Sequence, residues 1–200
     1  HESGCNRYKK SKEESVIIED IFKENPIIAA INSDKLLFEV VKSDVKVVFV
    51  LYGTILTLPS IVEKLKNSGK IAIVHTDLIN GLSSKEVAVD YIASNTKADG
   101  IISTKTNLVK RAKELGLIAG VRSFVVDSMA LSGAVSHLTS TKPDFLEIMP
   151  GLVYSVISEL AKYNIPIVAG GLIKTRDEIL SALNAGASAI SSTSPQTWKM

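Results

Sequence analysis

The sequence contains a single cysteine, Cys5, so no internal disulfide framework can form, and this thiol usage fits a reducing cytoplasm. No stretch approaches the roughly 18 consecutive apolar residues of a membrane-spanning helix, so a membrane is left out of the expected partners. The opening "HESGCNRYKKSKEES" lacks the apolar core of a secretory signal. Neither sign of charge dominates: 23 basic residues face 21 acidic ones, for a net charge of +2. A domain-wide electrostatic footprint for nucleic acid is therefore missing. Aromatic residues make up only 6%, so the core must be built mainly from aliphatic side chains.

What is present is apolar material, 46% of 200 residues, enough for one globular domain with a substantial core. That length is close to the minimum of roughly 200 residues for an eight-unit α/β barrel. Residues 1–14 read as a flexible polar N-terminal arm, and residues 15–200 as the folded domain. Arg7, Lys9, Lys10 and Lys12 cluster in the arm around Tyr8. Such a run is first a solvated tail and only secondarily a nucleic-acid contact.

Short apolar runs recur along the domain: "PIIAAI" (26–31), "KVVFVL" (46–51), "KIAIVH" (70–75), "DGIIS" (99–103), "LIAGV" (117–121), "DFLEIM" (144–149), "PIVAG" (166–170) and "SAISS" (188–192). Most are continuous in small or β-branched residues, as expected of parallel strands covered on both faces. The stretches between them have helical period. In "LPSIVEKLKNSG", Ile61, Val62 and Leu65 share a face and Gly69 suits the C-terminal cap. "NLVKRAKELG" repeats the pattern and ends in Gly116. "TRDEILSALNAG" places Ile179, Leu180 and Leu183 inward and ends in Gly186.

Strands alternating with helices admit an open doubly wound sheet or a closed barrel. The count of eight, units of about 20 to 25 residues, and the likeness of "ADGIISTKT" (98–106) to "ASAISSTSP" (187–195) favour a single-domain (β/α)8 barrel of the TIM type.

In such a barrel the ligand site lies at the C-terminal ends of the strands. That places His75-Thr76-Asp77, Ser103-Thr104-Lys105, Arg122, Glu147, Gly170-Gly171 and Ser192-Thr193-Ser194 around one mouth. Gly170 and Gly171 let main-chain amides approach an anion without a Cβ in the way, and "SSTS" adds hydroxyls and amides, so a phosphate site is expected after strands seven and eight. The alternative is a tight strand-to-helix turn. Thr175 with Glu178 forms a capping box for the next helix, and Pro195 suits the first turn of a short final helix.

Arg122 and Lys105 are candidate cations for a phosphate, or rim charges. Asp77 and Glu147 could orient hydroxyls, accept a proton or pair with those cations. Glu147 is the more informative, because a carboxylate inside "FLEIM" cannot be buried unpaired without cost. His75 reads as a hydrogen-bonded core histidine. No spacing suggests a metal site, no catalytic residue is assigned, and no cofactor is implied.

Taken together, "HTDLINGL" (75–82), "DGIISTK" (99–105), "VRSFVVD" (121–127), "KPDFLEIMPG" (142–151), "AGGLIKT" (169–175) and "SSTSPQTWK" (191–199) resemble the glycerol-3-phosphate-responsive antiterminator family, from about Pro26 to Lys199. The resemblance implies a cytoplasmic barrel regulator that binds glycerol 3-phosphate and acts on the leader mRNA of glycerol-metabolism genes. It puts the phosphate on Gly170, Gly171, Ser192 and Thr193, with Asp77, Lys105, Arg122 and Glu147 around the rest of the ligand. Trp198 would close the chain end over the side or bottom of the site, or simply pack. RNA contact would be confined to a local patch such as Lys105, Lys110, Arg111 and Lys113. A homo-oligomer is compatible with the sequence. The other reading is a phosphate-binding barrel enzyme acting on a phosphorylated triose or sugar, with Lys105 placed to form a Schiff base.

Overall fold

The computed structural model describes residues 18–200, so the arm expected over 1–14 lies outside the described residues. Eight parallel strands close into a barrel in sequence order: β1 (Ile27–Ile31), β2 (Val47–Val50), β3 (Ile71–His75), β4 (Gly100–Ser103), β5 (Ile118–Phe124), β6 (Phe145–Met149), β7 (Ile167–Gly170) and β8 (Ala189–Ser192). β1 pairs with β8 to complete the ring. The helices are α1 (Ile18–Glu24) ahead of β1, then α2 (Asp34–Val40), α3 (Leu58–Asn67), α4 (Val87–Asn95), α5 (Thr106–Glu114), α6 (Ser128–Thr141), α7 (Tyr154–Ala161) and α8 (Arg176–Asn184). The expected (β/α)8 architecture is the observed one.

Side chains alternate across each strand and separate the core in two. Leu146, Ile148, Ala169 and Ile190 face outward against the helices, whose inner stripes include Ile61, Val62 and Leu65 of α3. Ile28, Val47, Phe49, Ile73, Ile102, Phe145, Val168 and Ala189 fill the lumen, and Ile18 and Phe22 of α1 plug its N-terminal end. Phe145 is the centre of that lumen. Its ring stacks on Phe49 at 5.6 Å and meets Phe22 edge-on at 6.0 Å. Burying each such ring contributes about 1.5–3 kcal/mol. The ring fits because its neighbour in register is a glycine: Gly120 lies beside Phe145, and a Cβ there would stand 2.1 Å from the ring.

Three local expectations are corrected. β5 runs on to Phe124 instead of ending near Arg122, because Arg122 and Ser123 remain paired with β6 in spite of their polarity. On α8, Leu180 is 47% exposed, and Ala182 joins Ile179 on the buried stripe. One helical residue turns by about 100°, which carries Leu180 off the face that Ile179 buries. After β8 the chain forms only a three-residue 3-10 turn, Thr197–Lys199, and Pro195 precedes it. The capping box of α8 is present as expected, with the Glu178 amide donating to Thr175 Oγ1 and the Thr175 amide to Glu178 Oε2.

Substituting Gly120→Ala should lower the unfolding free energy by about 1–3 kcal/mol, because the Phe145 ring has to leave its rotamer. Urea denaturation checks this. An unchanged midpoint would show that the lumen tolerates the extra methyl and is not packed as described.

Candidate ligand-binding site

The period-2 alternation that fills the lumen with aliphatic residues turns polar at its C-terminal end. β6 follows Phe145 with Glu147, β5 follows Gly120 with Arg122, β3 follows Ile73 with His75, and β8 follows Ala189 with Ser191. All four polar residues are buried, at 0%, 7%, 2% and 5% exposure respectively.

Glu147 organises this layer. Arg122 Nε donates to its Oε2 at 2.5 Å and Ser191 Oγ to its Oε1 at 2.5 Å. Arg122 and Glu147 are direct register partners on β5 and β6. Desolvating such a pair costs energy, and removing one partner typically costs about 3–5 kcal/mol because the other charge is left stranded. Of the uses weighed for Glu147, the geometry shows pairing with a cation; neither oxygen is left over to move a proton. Arg122 keeps two terminal nitrogens without a hydrogen-bond partner among the described residues, and its side chain retains 8% exposure. A guanidinium anchored through Nε presents the fork that recognises carboxylate and phosphate oxygens.

Gly170 belongs to the same layer. A Cβ at this position would lie 2.6 Å from Ser191 Oγ and 2.7 Å from Glu147 Oε1. The glycine is therefore required by the buried network itself. Gly171 has φ +74, a left-handed conformation that side-chain-bearing residues seldom adopt. Beyond it, the main-chain amides of Gly171, Leu172, Ile173 and Thr193 donate no hydrogen bond among the described residues. Ser192 caps its own loop, accepting from the Ser194 amide at 3.1 Å, and Thr193 is exposed. The indole Nε1 of Trp198 donates to the Ser192 carbonyl at 2.8 Å, and its ring is buried among the outer-core residues, to the side of the barrel rather than over the mouth.

Asp77 is a clamp between strand ends. It accepts from Ser103 Oγ at 2.7 Å, the Thr104 amide at 2.7 Å and Thr104 Oγ1 at 2.8 Å. Burial pulls its carboxyl pKa upward, but these donors outweigh it and hold the group below its ordinary value. Lys105 sits at the rim, with Nζ donating to Ser84 Oγ at 2.6 Å and standing 3.9 Å from Asp77 Oδ1.

Of the four cations weighed as a local RNA patch, three are engaged by protein partners, and Lys110 stands exposed. Lys105 is held as above, Arg111 pairs with Asp90 and Glu114, and Lys113 donates to the Lys142 carbonyl beside Asp144. Charge read along α5 missed the carboxylates that neighbouring elements bring to it.

His75 departs from the hydrogen-bonded core histidine expected. Both ring nitrogens are buried with no partner among the described residues. Burial, then the nearby Arg122 charge, pushes its pKa down to about 4, so the imidazole is neutral near pH 7. Ser191 is what the sequence reading passed over, and His75 it placed at the mouth but took for a hydrogen-bonded core residue. The signal was there: each lies two residues past an apolar lumen residue. Among the described residues no acidic, histidine or cysteine group of metal-binding size occurs, and no helix is long and apolar enough to cross a membrane.

A closed parallel barrel whose mouth is floored by an anchored arginine, with unpaired amides on two adjacent loops, defines the class as a single-domain (β/α)8 protein. Within that class the chain belongs to the glycerol-3-phosphate responsive antiterminator family, whose model matches residues 27–198. Protein YgcP of Escherichia coli K12 is 37% identical over 181 residues, 90% of this chain and 95% of that protein. A glycerol uptake operon antiterminator regulatory protein from Listeria monocytogenes superposes with a TM-score of 0.83 at 29% identity, covering 86% of this chain and 94% of the other. A glycerol uptake operon antiterminator-related protein from Thermotoga maritima gives 0.78 at 32% identity, covering 88% and 99%.

The buried histidine makes stability depend on pH. The folded imidazole binds its proton more weakly, at about 4, than the ordinary value of 6.5. As pH falls below that ordinary value, the unfolded chain protonates first, so stability falls between pH 6.5 and 4 and levels off below. Integrated over pH 7 to 5, the loss is about 2 kcal/mol. Asp77 and Glu178, both shifted downward, lose their contributions only as pH falls through the ordinary carboxylate range, at the acid end of this window and beyond. Urea denaturation at a series of pH values should show the slope, and His75→Asn should flatten it. A flat wild-type profile would mean that His75 is not held neutral.

Proposed function

We propose that the chain is a cytoplasmic, glycerol 3-phosphate-sensing transcription antiterminator that acts on the leader mRNA of glycerol-metabolism genes. In this reading the phosphate sits on the amides around Gly170, Gly171, Ser192 and Thr193, with one edge on the Arg122 guanidinium. The observation that carries it is the Arg122–Glu147 pair: a cation brought into the mouth at a desolvation cost and left with its terminal nitrogens unpaired. Glu147 acts on the ligand through Arg122, Asp77 shapes the β3 and β4 ends, and Lys105 stands at the rim where it can reach the ligand's outer side. Family membership supports the choice of ligand. The Listeria protein's description as a glycerol uptake operon antiterminator supports the regulatory role.

A sensor needs no proton-transfer group, and the carboxylates of the mouth fit that requirement, since protein donors occupy both oxygens of Glu147 and of Asp77. The Schiff-base alternative asks for an amine inside the lumen, whereas Lys105 Nζ is held by Ser84 at the rim. For ligand to control RNA binding, the RNA-competent state must bind glycerol 3-phosphate more tightly than the other state.

Glycerol 3-phosphate at 100 times its Kd should stabilise the protein by about 2.7 kcal/mol, read as a rise in Tm that glycerol does not reproduce. A leader RNA should be retained more strongly with glycerol 3-phosphate than without it. No thermal shift would remove the sensor reading, equal retention would remove the coupling, and turnover of a phosphorylated triose would establish the enzyme instead.

A further inference from the structure

The polar layer at the top of the lumen contains one group that phosphate binding does not use. His75 projects into the lumen because it follows Ile73 at the two-residue spacing of β3, and it is 2% exposed. A neutral imidazole carries one donor and one acceptor, and a buried polar group ordinarily has both matched. Here neither Nδ1 nor Nε2 has a partner among the described residues. The nearby carboxylates are engaged by other donors. Asp77 holds Ser103 and Thr104, and Glu147 holds Arg122 and Ser191. An unmatched donor and acceptor thus lie beside the guanidinium that would take a phosphate.

We propose that His75 is the specificity residue of this mouth, pairing its two ring nitrogens with the hydroxyls of a small phosphorylated polyol while Arg122 and the loop amides take the phosphate. This rests on the mouth being a phosphate-ester site. A hydroxyl both donates and accepts, so one hydroxyl, or two on adjacent carbons, matches what the imidazole lacks. An anion does not, because a neutral imidazole offers it one donor and turns a lone pair toward it. Burial and the Arg122 charge keep the ring in that neutral state. A site built to bond a hydroxyl rejects the analogue lacking it, since the buried partner is then left unpaired. His75 thus separates glycerol 3-phosphate from an alkyl phosphate of the same length.

Isothermal titration of the whole chain with glycerol 3-phosphate, n-propyl phosphate and inorganic phosphate tests this. The wild type should prefer glycerol 3-phosphate to propyl phosphate by ~tenfold or more. His75→Phe should bring that ratio to about one with propyl phosphate affinity unchanged, and His75→Gln, which keeps a donor and an acceptor, should restore part of it. A preserved ratio in His75→Phe, or equal weakening of both esters, overturns the assignment. Should the variants not fold, ¹⁵N NMR of the wild-type imidazole decides. Both ring nitrogens should shift with saturating glycerol 3-phosphate and stay put with propyl phosphate; no shift with glycerol 3-phosphate overturns the proposal. If the wild type binds neither ester, the phosphate-ester reading fails and His75 falls with it. If it binds both equally, only the role of His75 fails.

Discussion

The buried contact between Arg122 and Glu147 is the constraint around which the upper half of the barrel is arranged. A carboxylate without exposure must be neutralised and hydrogen-bonded, and each neighbour contributes to that. Arg122 supplies the opposite charge across the β5–β6 ladder, Ser191 supplies a hydroxyl from β8, and Gly170 gives up a side chain so that both fit. Four strands are tied into one network by a single acidic residue. The reward is positional: a guanidinium whose anchored nitrogen fixes where its free edge points.

The lumen is divided by chemistry along its length. Below, Phe145, Phe49 and Phe22 interlock toward the N-terminal end of the lumen. Above, the same alternation of inward positions delivers Arg122, Glu147, His75 and Ser191. The apolar half gives rigidity to the polar half, because strands held by a packed floor cannot shift in register at the mouth without disturbing aromatic contacts. A preorganised site of this kind suits recognition of a small ligand better than a loop-built one, which would have to be ordered on binding.

Much of the architecture was legible because period and punctuation carry it. Eight apolar runs, the Ile61–Val62–Leu65 stripe and the Thr175–Glu178 capping box are local patterns with local physical causes, and they appear where expected. The mouth was legible as a set of residues because barrel strands all end at one face. Roles within the mouth were not, since they depend on partners far apart in sequence. Glu147 meets Ser191 across 44 positions, and Arg111 finds Asp90 across 21. Gly170 was singled out for the approach of an anion, and the folded lumen reveals a different need for it, the carboxylate beneath it. Leu180 misled because hydrophobicity alone does not decide which side of a helix faces in.

Trp198 is the sole tryptophan of the chain, and its indole nitrogen holds the carbonyl at the end of β8, where β8 and β1 complete the ring. Indole emission responds to the polarity and hydrogen bonding around the ring, so the protein carries its own fluorophore at the seam of the barrel. Any rearrangement of the loop after Ser192 tugs on the carbonyl that this indole holds. A rearrangement of that loop can therefore be followed by colour and intensity in the unlabelled molecule.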